Sequence, residues 1–180
     1  MEELAHKQWT LQEWDRMITS GLLGEDSRVF LLEGEIYQMC PQNSPHSTAL
    51  GLAQDELTAA LAPETHLRVQ LPLYLGSASD PEPDLAIVAG KRRDYVEQQP
   101  RSALLVVEIA DSSLTFDCGR KACVYARSGI PEYWVVDLNG RQVLRYTQPG
   151  ELGYSRSEEI GPEGMLSWAQ ASIQVQALLP

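Results

Sequence analysis

Apolar residues fall along this chain in two rhythms, short continuous runs and helical spacings of three and four, and their interleaving predicts a mixed α and β fold. Leu104, Leu105, Val106, Val107 and Ile109 form one continuous run, the pattern of a strand buried on both faces. Asp84 to Ala89 is a second, and Tyr133 to Asp137 and Val143 to Tyr146 are two more, separated by Asn139-Gly140, the strongest hairpin signal in the chain. Phe30-Leu31-Leu32 and Ile36 to Met39 flank Glu33-Gly34-Glu35 as a shorter hairpin closed by Pro41. Leu67 to Leu75 reads as a strand with an irregular point at Pro72, followed by a turn over 76–83, and a polar loop fills 90–102. Residues 152–180 offer weak strands at best.

Helical spacing appears three times. A first helix over 11–19 starts from a capping box, Thr10 with Glu13, between Trp9 and Trp14 in staple positions. Ser44 caps a second, with Pro45 in its first position and Leu50, Leu57 and Leu61 as its apolar face, ending before Pro63. Asp117 reads as the N-cap of a third, with Cys118, Ala122, Tyr125 and Ala126 at helical spacing, Lys121 near the start and Gly129 just past the end.

The order of elements sets the geometry. Strands 84–89 and 104–109 are expected as antiparallel neighbours, which puts Asp84 beside Glu108. The short link to the third helix starts that helix at the same sheet edge, so Lys121 points back over both carboxylates. Strand 133–137 then returns parallel to 104–109 through a right-handed crossover. The predicted architecture is an α/β (α+β) single domain over 1–180: helix and hairpin in 1–43, a mixed-sheet αβββαβ core in 44–138, and further strands in 139–180.

Composition adds limits. The 180 residues, 43% hydrophobic and 22% charged, suit one soluble domain with a full core. No apolar run is long enough to span a bilayer and Met1 to Thr10 lacks a secretory layout, so a cytoplasmic protein with no membrane partner is expected. Cys40, Cys118 and Cys123 form no CxxC pair and are expected to be reduced and buried. The net charge of -11 weighs against a wholly basic nucleic-acid-binding surface without excluding a local basic groove. No GxSxG is present; Lys91 follows Gly90, but Leu85 stands where a phosphate-binding loop needs glycine.

Glu108 is the anomaly, a carboxylate within an apolar strand, which is costly to bury unless a cation meets it. Asp84 and Glu108 together would be hard oxygen ligands for Mg²⁺ or Mn²⁺, and an ammonium beside them can orient water and neutralise charge developing on phosphorus. These residues resemble the bacterial putative restriction endonuclease family within the PD-(D/E)XK nuclease superfamily. Pro83-Asp84 matches the first motif half and Glu108 the second acid, and the lysine sits on the following helix in an Asp-x-x-x-Lys-x-x-x-Tyr frame reproduced by Asp117, Lys121 and Tyr125. Ala110 occupies the usual lysine position, and Ala110-Asp111-Ser112-Ser113 replaces the family's Ser-Pro. The likeness runs from Thr10 through Glu33-Gly34-Glu35, Pro45-His46 and Gly129 to Trp134 and on to the C-terminal strand.

The resemblance implies a restriction-endonuclease-like fold and a Mg²⁺- or Mn²⁺-dependent nuclease acting on DNA, with Asp84, Glu108 and Lys121 catalytic and the first two holding metal. Glu35, His46, Asp117 and Tyr125 become candidates for surrounding support, and Asp111 for a further nearby acid. Lys91, Arg92 and Arg93 become candidates for phosphate contacts. Each has a plainer reading: a salt bridge for Glu108, a solvated helix lysine for Lys121, a surface histidine for His46, a solvated loop for the 91–93 cations. The competing function is a nuclease-fold module that binds nucleic acid or protein without cutting. Duplex cleavage from one site per chain predicts a two-fold dimer, with Trp134, Tyr146 and the strands after 152 as interface.

Overall fold

The computed structural model describes residues 6–180; part of the Met1 to Thr10 segment read above for a leader pattern, residues 1–5, lies outside the described residues. In chain order come α1 (Leu11–Thr19), β1 (Val29–Leu32), β2 (Glu35–Gln38), α2 (Ser44–Ala59), β3 (Thr65–Val69), β4 (Leu85–Ala89) and β5 (Leu105–Ala110). A helical stretch of three parts follows: α3 (Leu114–Phe116), a π turn at Asp117–Lys121, and α4 (Ala122–Arg127). The chain ends with β6 (Glu132–Asp137), β7 (Gln142–Gly150), β8 (Gly153–Ile160) and a hairpin of β9 (Met165–Trp168) and β10 (Ala171–Gln174).

The central sheet has six strands in the order β3-β4-β5-β6-β7-β8. Only β5 and β6 pair in parallel, and the crossover between them carries α3 and α4. Alternation within each strand divides the side chains between two cores. Leu85, Ile87, Leu105, Val107, Ile109, Trp134 and Val136 face α2 and the C-terminal segment. Ala86, Val88, Val106, Ala110, Tyr133 and Val135 face α4 and the β1–β2 hairpin. By the same parity Glu108 and Asp84 belong to the α4 face, and the pairing of Leu85 with Val107 sets them opposite one another.

Several expected boundaries move. The strand expected over 67–75 is β3 alone, because Gln70 takes a left-handed backbone (φ 49°) that turns the chain out of the ladder. The cap of α2 is Asn43, one residue before Ser44, and its buried side is Ala49, Ala53 and Leu57. Asp117 is no N-cap: the helix begins at Leu114 and Asp117 is buried inside it. The Asn139-Gly140 hairpin has a four-residue connection between paired Asp137 and Gln142, with the left-handed residue at Arg141. The region after 152 holds the eight-residue β8 and the β9–β10 hairpin, so it is ordered sheet and part of the core. Trp134 is fully buried, edge-on to Trp168 at 6.4 Å, and cannot serve as interface surface. Cys40 is exposed and Cys118 and Cys123 are half-buried, contrary to the burial expected of them.

The β1–β2 hairpin docks through a glycine that cannot be replaced freely. Gly34 has φ 78°, and a Cβ there would stand 2.8 Å from the Gln8 Cβ. Alongside, Asp80 accepts the Trp14 indole N–H at 2.8 Å, and its backbone N–H donates to Leu31 O at 2.8 Å. Burial pushes the Asp80 carboxyl up to about 7, against the Trp14 bond and with Glu82 and Asp15 adding repulsion. A folded pKa above the unfolded value means the native state holds the extra proton, so this contribution is full below about pH 4 and lost as pH rises through about 7. Asp80→Asn keeps an oxygen for Trp14 and carries no charge. It is expected to be more stable than wild type at pH 8, by on the order of 2–4 kcal/mol, with little difference at pH 4. Urea unfolding at both pH values checks this; parallel curves for the two proteins would refute it.

Candidate active site

Asp84 ends the loop before β4, and its position is fixed from several directions. Its Oδ2 accepts the Ile109 backbone N–H at 2.9 Å and lies 3.2 Å from His46 Nε2, while Oδ1 accepts from Gln70 Nε2 at 3.1 Å. Its own backbone N–H points at Glu108 Oε2 at 3.4 Å. The two carboxylates are therefore interlocked across the β4–β5 pair. Glu108 Oε1 accepts the Tyr125 hydroxyl at 2.7 Å and pairs with Lys121 Nζ at 3.0 Å.

Lys121 reaches Glu108 because of the π turn. The Ala122 N–H bonds the Asp117 carbonyl, five residues back, and the wider turn faces Lys121 to the sheet. Its ammonium also meets Asp117 Oδ1 at 3.0 Å and lies 5.8 Å from the Phe30 ring centre. Asp117 is fixed in turn by the Ser113 hydroxyl, and its carbonyl accepts the Tyr133 hydroxyl at 3.1 Å. The plain salt-bridge contact for Glu108 is thus present, within a larger cluster.

The electrostatics follow from burial. Desolvation pushes the Glu108 carboxyl up against the pull of Lys121, with Asp117 and Asp84 repelling it and the Tyr125 bond lowering it. Burial also works to neutralise Lys121, but Glu108 and Asp117 outweigh it and keep the ammonium charged. Burial favours the neutral form of Asp84, and the His46 hydrogen bond and charge, with Ile109 and Gln70, reverse this so that the carboxylate is held below its ordinary range. Asp84 in turn raises His46, against desolvation. Burial, reinforced by Glu108, keeps Tyr125 a phenol able to donate.

Two contributors went unread in the sequence. Gln70 grips Asp84 from the left-handed residue that ends β3, and no periodicity marks such a position. Asn43 caps α2 through Oδ1 to the His46 N–H at 3.0 Å and donates from Nδ2 to Asp111 Oδ2 at 2.6 Å, so the end of β5 holds the helix that carries His46. Asx chemistry at a helix start was the available signal.

The other candidates lie apart. Glu35 is exposed and bound by Arg120 Nη1 at 3.0 Å and the Tyr37 hydroxyl at 2.5 Å, outside the residues that line the cleft. Lys91, Arg92 and Arg93 lie beyond the far end of β4, seven or more residues from Asp84 and roughly 20 Å along an extended strand. Lys91 pairs there with Glu64.

Asp84, Glu108 and Lys121 open on a cleft of about 820 Å³ between the β1–β2 hairpin, the start of α2 and the loop after β5. Among the described residues its wall carries Asp80, Glu82, Asp84, Glu108, Asp111 and Asp117 against two permanent cations, Arg28 and Lys121. No group of three or more His, Cys, Asp or Glu side chains forms a ready cation cage among the described residues. Two carboxylates with room for water suit Mg²⁺ or Mn²⁺, which keep part of their hydration. The surplus of buried carboxylates over the one buried ammonium leaves negative charge for such an ion to balance. The residues present therefore fit that class of cation.

A family model described as Uma2, putative restriction endonuclease, matches residues 11–174. The fold is similar to a crystal structure of a putative nuclease from Anabaena variabilis, with a TM-score of 0.75 and 15% identity over 94% of this chain and 97% of that one. No curated protein matches the sequence. Among the described residues no helix is long and apolar enough to cross a membrane.

Proposed function

The chain belongs to the Uma2 family of putative restriction endonucleases, and from that premise we propose that it is a metal-dependent endonuclease that hydrolyses DNA phosphodiester bonds. The observation that carries the proposal is the convergence of Asp84, Glu108 and Lys121, from three separate segments, on one face of the sheet inside one cleft. Asp84 and Glu108 are the residues that would hold Mg²⁺ or Mn²⁺. When bound, such an ion supplies Lewis-acid charge to the phosphate and lowers the pKa of water.

The chain's own groups do the rest. Gln70, His46 and the Ile109 N–H fix the rotamer of Asp84, and Tyr125 fixes that of Glu108. Lys121 keeps its proton at the cleft wall and offers positive charge where negative charge develops on phosphate oxygens. Were the substrate a duplex, its two scissions would require two such sites, which a homodimer would supply; with Trp134 buried, Tyr146 and β8 are the surfaces left for it. The buried Lys121–Glu108 pair supports a second reading, a nuclease-fold binding module without catalysis.

Mn²⁺ separates the two. An ion that binds only the folded state adds RT ln(1 + [L]/Kd), about 2.7 kcal/mol at a hundredfold excess over Kd. That corresponds to a rise of roughly 5–10 °C in Tm for a domain of this size. Wild type is expected to show the rise and to cut labelled DNA with Mg²⁺ or Mn²⁺, stopping on chelation, and Asp84→Asn to show neither. A flat titration in wild type at constant ionic strength would favour the binding module.

A further inference from the structure

We infer that the nucleic acid this cleft accepts is a single strand, with a base stacked on the half-buried rings Tyr37 and Phe116, which Phe30 backs, while an adjacent phosphodiester faces Asp84 and Glu108. The inference rests on the phosphodiester reading above and names its substrate class. The first support is charge. A duplex presents two phosphate backbones and is gripped by a set of lysines and arginines, yet this cleft has six carboxylates against two permanent cations among the described residues. Neighbouring cations are already engaged: Arg120 by Glu33 and Glu35, and Arg127 by Glu33. The Lys91 to Arg93 run stands at the opposite end of β4.

The second support is the aromatic wall itself. Tyr37 lies 5.6 Å from Phe30 in a stacked pair and 5.1 Å from Phe116, and all three rings line the cleft. Phe30 is buried behind the other two, whereas Tyr37 and Phe116 pack against the core yet remain half-buried, with the Arg120 guanidinium 5.3 Å from the Tyr37 ring centre. Phe116 is the residue before Asp117, and Phe30 lies beneath the Lys121 ammonium, so the wall and the polar cluster share a border. Every base has a π face, and stacking on such rings is worth about 1–3 kcal/mol per base, which a single strand adds to the contacts that two cations can make with its one backbone. A paired base inside a duplex cannot offer that face. An unpaired one can.

The test measures binding separately from cutting. Asp84→Asn protein is titrated into fluorescent 12-nucleotide single strands, one DNA and one RNA, and into the DNA duplex, with anisotropy as readout. At least one single strand is expected to bind about tenfold or more tighter than duplex, with DNA and RNA arms reporting which sugar is accepted. With two cations on the wall the log–log salt slope should be no steeper than about -1.4, against roughly -5 to -9 for a duplex reader with six to ten phosphate contacts. In the same background Tyr37→Leu and Phe116→Leu, which keep apolar volume and lose the ring, should each weaken single-strand binding about tenfold. Tyr37→Phe should bind like its parent. Duplex binding as tight or tighter, no single-strand binding, or leucine variants equal to the parent would each overturn the inference; if the leucine variants do not fold, the single-strand against duplex comparison decides alone. Wild-type cleavage of the same oligonucleotides judges the nuclease proposal independently: duplex cutting would retain that proposal while removing this one.

Discussion

Asp84→Asn, Glu108→Gln and Lys121→Ala are each expected to lower Mn²⁺-dependent cleavage by about a hundredfold or more, and the Asp84→Asn/Lys121→Ala double variant to be no worse than the poorer single. The non-additivity follows from the contacts. Asp84 is interlocked with Glu108 through its own N–H and the Ile109 N–H, and Glu108 holds Lys121, so removing one member disables the rest. Lys121→Arg should not rescue, because a planar guanidinium cannot place one compact charge between Glu108 Oε1 and Asp117 Oδ1, both 3.0 Å from the ammonium. Tyr125→Phe removes only one neutral donor to Glu108 and should cost far less. Initial rates on one end-labelled DNA give the whole series. Equal residual rates in wild type and all variants would mean that these residues do not carry the reaction.

Much of this cluster was legible because strand parity is strict. A run such as Leu104 to Ile109 can point Glu108 to only one face, and antiparallel pairing with Asp84 to Ala89 then fixes which residue stands opposite. The helical lysine was legible from its place early in the helix after β5 and from the family frame it shares with Asp117 and Tyr125, but not from a cap, since Asp117 is no N-cap. Asp117 sits four residues into the helical stretch, receiving Ser113 and pairing with Lys121, and the π turn between them has no sequence period to betray it. Gln70 was hidden for the same reason: its role depends on a left-handed backbone in a non-glycine residue, which tertiary contacts impose.

The C-terminal third was under-read because its strands alternate weakly. In β8 the exposed Ser155 to Ser157 stretch and Glu159 leave few apolar positions, yet the ladder to β7 runs from Val143–Ile160 to Gly150–Gly153. Trp134 was misplaced because an aromatic in a central strand reads equally as surface or core. The β9–β10 hairpin, which supplies Trp168 against it, could not be seen in advance. That hairpin also places Leu166 and Ile173 on the same core as α2, the helix that carries His46 to Asp84. The late strands thus support the site through the sheet's opposite face.

Lys121→Met should destabilise the protein by about 3–5 kcal/mol at pH 7.5, because it leaves buried Glu108 and Asp117 facing one another without their shared counter-charge. For a chain of this length that is a fall of roughly 6–20 °C in Tm. The pH dependence identifies the cause. Without the ammonium, desolvation and repulsion from Asp117 and Asp84 hold the Glu108 carboxyl further above its unfolded value than in wild type, so the variant takes up more protons on folding than wild type does. Stabilisation by those protons is full below the unfolded carboxyl pKa and lost as pH rises through the folded values, so the deficit of Lys121→Met should shrink from pH 7.5 to pH 5. Glu108→Gln added to Lys121→Met removes one of the stranded charges and should recover part of the loss, while Tyr125 can still donate to the amide oxygen. Denaturant unfolding of the three proteins at both pH values measures the effect. A deficit independent of pH, or a double variant less stable than Lys121→Met, would show that lost packing of the lysine stem, and not stranded charge, sets the cost.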